Sequence, residues 1–155
     1  MTESYDVINE YLVNVFNKIM DIEETALKIS RFSDLSIKEM HTIEAIGIAN
    51  PLSSTEIAKK LNITVGTLTV AVNNLVRKGY VERLRLDDDR RVVRLKLTKE
   101  GKLLYRIHAK FHRLMVIETL KGMDEAEVRI LVKGLKNLHT FLFEKQEEQR
   151  KLLEE

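Results

Sequence analysis

Between Thr64 and Lys78 the chain carries small polar side chains at helical spacing. At about 100° per residue, Val65, Leu68, Ala71, Val72, Leu75 and Val76 share one side, and Gly66, Thr67, Val70, Asn73, Asn74 and Arg77 share the other. The first set reads as core. The second is short and uncrowded, where a helix facing ordinary solvent usually carries Glu, Lys and Gln. Such groups suit base edges in a DNA groove, because an Asn amide pairs bidentately with adenine and a Thr or Val methyl packs on the thymine methyl. Arg77, near the helix end, suits a phosphate. Thr69 and the capping residues Ser53 and Thr64 complete the predicted DNA-facing set. The bland alternative is a Thr-rich surface helix, and the next stretch argues against it.

That stretch reads YVERLRL-DDDRR-VVRLKL. Val93, Leu95 and Leu97 alternate with Arg94 and Lys96, and Tyr80 and the apolar members of the first strand alternate with Glu82, Arg83 and Arg85. Period two with one apolar face is a β-hairpin. Its tip holds Asp87, Asp88, Asp89, Arg90 and Arg91. A carboxylate such as Asp89 can orient a neighbouring guanidinium by charge-assisted hydrogen bonds. An arginine held that way can enter a DNA minor groove. Arg90 or Arg91 fits this role, and which of them inserts is left open. The alternative is a solvated turn with a chance charge cluster.

A third chemistry is metal binding. The four histidines are His41, His108, His112 and His139. His108 and His112 lie four apart, on one helix face, and two imidazoles so placed can share Zn²⁺ with a carboxylate or a third histidine. Glu23 and Glu24 on the first helix and His41 on the second supply both. A histidine within the stripe Leu104, His108, Phe111, Met115 is more often a core or interface residue. Catalysis has little support: there is no G-x-S-x-G, phosphate-binding glycine loop, H-E-x-x-H or cysteine. Arg90 and Arg91 beside the three aspartates favour ion pairing over a metal cluster. A purely structural coiled-coil protein would account for the terminal helices but not for the groove face or the hairpin.

These residues need elements to hold them. Ser53 with Glu56 makes a capping box for a short helix carrying Ile57, Ala58 and Leu61, Asn62 to Thr64 make a turn, and Thr64 caps the helix that stops at Gly79. This is a helix-turn-helix followed by a wing. Upstream, residues 5 to about 30 form an amphipathic helix with Ile8, Leu12, Val15, Ile19, Ile22, Ala26 and Ile29 in its stripe. Ser36 and Glu39 cap a second helix to about Ile48, and Asn50-Pro51-Leu52 marks a loop. Thr98 opens a long helix closed by Gly122, and Asp124 with Glu127 caps the last helix, whose Val128, Leu131, Leu135, Leu138 and Leu142 form a coiled-coil-like seam. The charged end from Glu144 is expected to fray. The long helices offer more apolar face than a small winged lobe can cover, which predicts a homodimer presenting two recognition helices to two half-sites.

At 155 residues one domain is expected, with the DNA-binding lobe at 33–98 and a helical dimerisation region at 1–32 and 99–148. Net charge is only +2, but 64–97 holds eight Lys and Arg against four acids, leaving the remainder at −2. Positive charge on the proposed DNA face adds phosphate affinity. With no cysteine, no signal peptide and no membrane span in the sequence, a cytoplasmic protein is expected.

The wing run Asp89-Arg90-Arg91-Val92-Val93-Arg94-Leu95-Lys96-Leu97-Thr98, then Gly101, resembles the D-x-R, short strand and L-T-x-x-G of the MarR family. The resemblance covers essentially the whole chain and implies a mainly α fold with a small β-wing, in a triangular homodimer on a near-palindromic operator. Within the family the likeness is to the FabT-type repressors of fatty acid synthesis, through Ser36–Gly47, Thr64–Arg83, Asp89–Gly101 and the His108-x-x-Phe111-His112 element. It implies a double-stranded DNA partner and long-chain acyl-acyl carrier protein as corepressor, with no cofactor required. The implied acyl pocket is lined by Ile22, Ile43, Ile46, Phe111 and Met115, with His108 and His112 nearby. Zinc-responsive members of the family are similar in the same regions, which implies an alternative zinc site of Glu24, His41, His108 and His112.

Overall fold

The computed structural model describes residues 2–86 and 89–154, with side chains over 3–85 and 93–152. Six helices and three strands run in the order α1 (Thr2–Lys28), α2 (Ile37–Ile46), β1 (Leu52–Ser53), α3 (Ser54–Leu61), α4 (Val65–Arg77), β2 (Val81–Leu86), β3 (Asp89–Leu97), α5 (Lys99–Leu120) and α6 (Glu125–Glu154) among the described residues. The chain divides into two compact units, Met1–Ala109 and Lys110–Glu155.

Local chemistry sets most helix ends of the first unit. Ser36 and Ser53 each accept the amide three residues on, while Glu39 and Glu56 reach back to the cap amides. Both expected capping boxes are therefore formed, satisfying amides that have no partner within the helix. Asn62 ends α3 in the left-handed region at φ 52°, which a short amide side chain tolerates. The Thr64 side chain then accepts from the Thr67 amide at 3.1 Å and starts α4.

Behind α4 lies the core. Leu68, Val72 and Leu75, four and three apart, are all buried with Ile57 and Ala58 of α3, Ile43 and Ile46 of α2, and Leu95 and Leu97 of β3. Burying a side chain of this kind contributes about 1.5–3 kcal/mol, so this cluster fixes the angle at which α4 is presented. Val65, in the first turn of α4, departs from the expected core face: it is exposed.

The sheet is antiparallel in the order β1-β3-β2. Strand β1 corrects the expectation of a plain loop at Asn50–Leu52: Leu52 pairs with Leu95 and Ser53 with Arg94. In the hairpin, Val81 pairs with Leu97 and Arg83 with Leu95. Val81, Leu95 and Leu97 are buried while Glu82, Arg83 and Arg85 face out, as the period of two requires. Gly101 sits where the start of α5 meets the wing; a Cβ there would lie 2.2 Å from the Tyr80 carbonyl oxygen.

Helix α1 has the amphipathic length expected, but most of its apolar stripe is exposed. Ile8, Leu12, Val15, Ile22 and Ile29 are exposed, and the inward residues near its end are Glu23 and Leu27. In the second unit, Asp124 and Glu127 form the expected cap of α6, with Asp124 Oδ1 accepting the Glu127 amide at 2.9 Å and Glu127 accepting the Asp124 amide at 2.8 Å. Helix α6 runs on through the charged stretch from Glu144 to Glu154, with three-apart pairs such as Lys145–Glu148 and Arg150–Glu147 along it. Among the described residues no helix is long and apolar enough to cross a membrane.

Candidate nucleic-acid interface

The outer face of α4 is bare. Gly66, Thr67, Thr69, Val70, Asn73 and Arg77 are exposed and Asn74 is half-buried. Val70, an apolar side chain, is 64% exposed. Several of these groups are already oriented. Asn73 Oδ1 accepts from Arg83 of β2 at 2.5 Å, and Asn74 Oδ1 accepts from Arg77 at 3.1 Å. The Thr69 hydroxyl donates to the Val65 carbonyl at 2.8 Å, and the Thr64 and Thr67 hydroxyls share a hydrogen bond of 2.9 Å. Ser53 also uses its hydroxyl locally, donating to Glu56 at 2.8 Å. The sequence reading missed Arg83. Its place outward on the strand that leaves the recognition helix was the available signal.

The far end of α4 is anchored by a pair invisible to periodicity. Lys78 Nζ donates to both oxygens of Glu39 on α2, at 3.0 and 2.8 Å, and to the Asp34 carbonyl. Burial alone would raise the Glu39 carboxyl; the Lys78 hydrogen bond, the Ser36 amide and the Lys78 charge outweigh it and hold the carboxyl below its ordinary value. Next along, the Tyr80 hydroxyl donates to Asp34 Oδ1 at 2.8 Å, and burial with that bond pushes its pKa up to about 12.

These contacts revise the charge count of the DNA face. Lys78 turns inward, Arg94 donates to the Pro51 carbonyl at 3.1 Å, and Lys96 pairs with Glu82 at 3.1 Å. Among the described residues of 64–97, Arg77, Arg83 and Arg85 remain the outward cations. Asp87 and Asp88 lie outside the described residues, as do the side chains of Asp89, Arg90 and Arg91.

A second polar cluster lies within the first unit. Glu23 of α1, only 4% exposed, sets one carboxylate oxygen 3.0 Å from His108 Nε2 of α5 and the other 3.4 Å from His41 Nε2 of α2. His108 Nδ1 is 3.8 Å from Glu44. The structure brings Glu23, not Glu24, beside the imidazoles. Glu24 is a helix step away and pairs with Lys28 at 2.8 Å in solvent. Ligand atoms of Glu23, His41 and His108 lie within 4.8 Å of one another. Two imidazoles and a carboxylate fit Zn²⁺ with an open position, and Glu44 would orient His108 from behind. His112 lies in the second unit, edge-on to Phe111 at 5.7 Å.

The residues expected to line an acyl pocket are divided between the two units. Ile43 and Ile46 belong to the closed core, Ile22 points out to solvent, and Phe111 and Met115 are half-buried in the second unit. Burying Glu23 and Leu27 sets the phase of α1 and turns Ile22 outward in the first unit.

A capped helix with an uncrowded polar outer face, backed by a helix pair and joined to an antiparallel hairpin, defines a winged helix-turn-helix DNA-binding protein. Residues 35–93 match the MarR family. The chain is 51% identical to FabT of Streptococcus pneumoniae, solved in complex with DNA, over 90% of this chain and 98% of that one, with a TM-score of 0.80. It is 26% identical to the transcriptional regulator PchR of Bacillus subtilis over 110 residues, 69% of this chain and 65% of that protein. To the transcriptional repressor YetL of the same organism it is 32% identical over 87 residues, 56% and 52% of the two chains. Its match thus spans under two thirds of these curated relatives' own length. The chain belongs to the MarR family, and it is a DNA-binding transcriptional regulator rather than an enzyme.

Proposed function

We propose that this protein is a homodimeric repressor of fatty acid synthesis genes, bound to a palindromic operator more tightly when long-chain acyl-acyl carrier protein is present. The observation that carries the reading is the 51% identity to FabT over 90% of the chain. Thr67, Val70, Asn73 and Asn74 read or approach the bases, Arg77 holds phosphate, and Arg90 and Arg91 work at the minor groove. The exposed Ile8, Leu12 and Val15 of α1 and Leu135 and Leu142 of α6 support pairing with a second copy, since unpartnered apolar faces of this size favour association. The acyl chain would act by preferring one spacing of the two DNA-binding lobes, and its effect cannot exceed that preference.

The test is a fluorescence-anisotropy titration on DNA from upstream of a fatty acid synthesis operon, at fixed salt. Tighter binding with acylated carrier, and indifference to a chelator, supports the reading. Alanine at Arg90 and Arg91 should weaken operator binding while the dimer persists. The Glu23–His41–His108 cluster favours one second reading, a zinc-responsive regulator. There, a chelator abolishes binding, the acylated carrier has no effect, and the targets are metal homeostasis genes.

A further inference from the structure

The two arginines that touch the outer face of α4 differ from other paired arginines of the chain in what they hold. Arg31, Arg94, Arg129 and Arg150 each lie beside a glutamate carboxylate. Arg77 and Arg83 instead donate to the side-chain oxygens of neutral amides, Asn74 and Asn73. The Arg77 bond is local, between residues three apart on one helix. The Arg83 bond joins two elements, because Arg83 belongs to β2 and Asn73 to α4.

Both ends of this bond start from fixed backbone. Arg83 stands opposite Leu95 in the hairpin ladder, and Leu95 is fully buried. Val72 and Leu75, beside Asn73 in α4, are buried too. The Tyr80 amide donates to the Leu75 carbonyl at 2.9 Å, which closes the short turn between α4 and β2. The bond itself is at the surface, since Asn73 and Arg83 are both exposed. An exposed hydrogen bond replaces one to water and contributes little to folding. Its consequence is the direction of the Asn73 amide.

A free asparagine can turn either its oxygen or its nitrogen toward a given point. A guanidinium has donors only, so the atom facing Arg83 must be the Asn73 oxygen. That oxygen keeps a second lone pair, and the nitrogen keeps both hydrogens. In the major groove adenine offers a donor at N6 and an acceptor at N7, which match one lone pair and one N–H of an amide so directed. Guanine offers two acceptors, O6 and N7. A freely turning amide could swing its oxygen away from O6 and still donate to guanine. An amide whose oxygen is held cannot, and guanine then sets two acceptors against each other. Selectivity grows from that repulsion as much as from the bonds to adenine.

We propose that Arg83 is the positioning residue that makes Asn73 select adenine over guanine. It acts through the amide and needs no base or phosphate contact of its own. The inference rests on the reading that Asn73 approaches a base. It is independent of which genes carry the operator and of any effector.

The experiment uses the full chain and a duplex that the wild type selects from randomised DNA, together with every single-base variant of that duplex. Wild type, Arg83→Ala, Asn73→Ala and the double variant are titrated at fixed salt and again over a salt series. Arg83→Met, which keeps the aliphatic stem, guards against a loss of packing. The position at which Asn73→Ala loses discrimination is the one Asn73 reads. There the wild type should prefer adenine over guanine by about tenfold, and both Arg83 variants should reduce the ratio to about threefold or less. In the Asn73→Ala background, Arg83→Ala should leave the ratio unchanged. Discrimination at other positions and the salt slope should stay as in wild type, whereas a merely structural loss would weaken all duplexes alike. An intact ratio in both Arg83 variants overturns the positioning role and leaves Asn73 as a base reader. Uniform weakening with a salt slope shallower by about one makes Arg83 a phosphate contact and also overturns it. If no position responds to Asn73→Ala, base reading by Asn73 fails and the role of Arg83 fails with it.

Discussion

Replacing Gly101 with alanine should destabilise the protein, although helix propensity by itself says the opposite. Gly101 lies in the first turn of α5, where alanine is favoured over glycine by up to about 1 kcal/mol. Against that, its Cβ would sit 2.2 Å from the Tyr80 carbonyl oxygen and 3.2 Å from the Leu97 Cβ. Contacts of this kind need about 3.2 Å or more, so α5 and the wing must separate by about 1 Å. Neither side yields cheaply. The Tyr80 carbonyl accepts the Thr98 amide at 3.0 Å, the Thr98 hydroxyl donates to the Gly79 carbonyl at 2.7 Å, and Tyr80 and Leu97 are buried. A 2.2 Å approach to a backbone oxygen belongs at the upper end of the about 1–3 kcal/mol that overpacking costs, so a net loss of about 2 kcal/mol remains after propensity is credited. Urea unfolding of wild type and Gly101→Ala at one protein concentration measures it as a lower midpoint with an unchanged slope. An unchanged or higher midpoint would refute the close approach as the reason for glycine here.

Other substitutions probe the interface and its anchors. Asn73→Ala should cost about 1–3 kcal/mol of operator affinity and relax the preference for adenine at one position in each half-site, read by titrating single-base operator variants; Arg83→Ala should act in the same direction because it orients Asn73. Lys78→Met leaves Glu39 without its counter-charge and should lower stability by about 1–3 kcal/mol at neutral pH. Because the folded Glu39 pKa lies below its unfolded value, the pair's contribution is present above pH 4.5 and lost as pH falls through the lowered pKa. The gap between wild type and Lys78→Met in denaturant midpoints should therefore narrow in acid. Tyr80→Phe tests the alkaline side: the raised pKa means that stabilisation is present below pH 10 and disappears as pH rises through about 12. The variant should lose about 1 kcal/mol at neutral pH and show a shallower alkaline decline, followed by thermal unfolding across pH.

What the sequence determined by itself was most of what depends on neighbours three or four residues apart. The caps at Ser36, Ser53, Thr64 and Asp124, the turn at Asn62 and, Val65 apart, the two faces of α4 follow from short-range hydrogen bonding and helical period. The tertiary structure decided the pairings across long separations. Leu52 joins Leu95 in a third strand, Lys78 reaches Glu39, and Arg83 turns Asn73. It also set the phase of α1, where one step about the helix axis exchanges Glu24 for Glu23 beside His41 and His108 and sends Ile22 to solvent. A sequence pattern ranks faces by how apolar they are, and by that rule a carboxylate belongs outside. Glu23 is inside because two imidazoles from α2 and α5 meet its two oxygens, a compensation that exists only once the helices have packed.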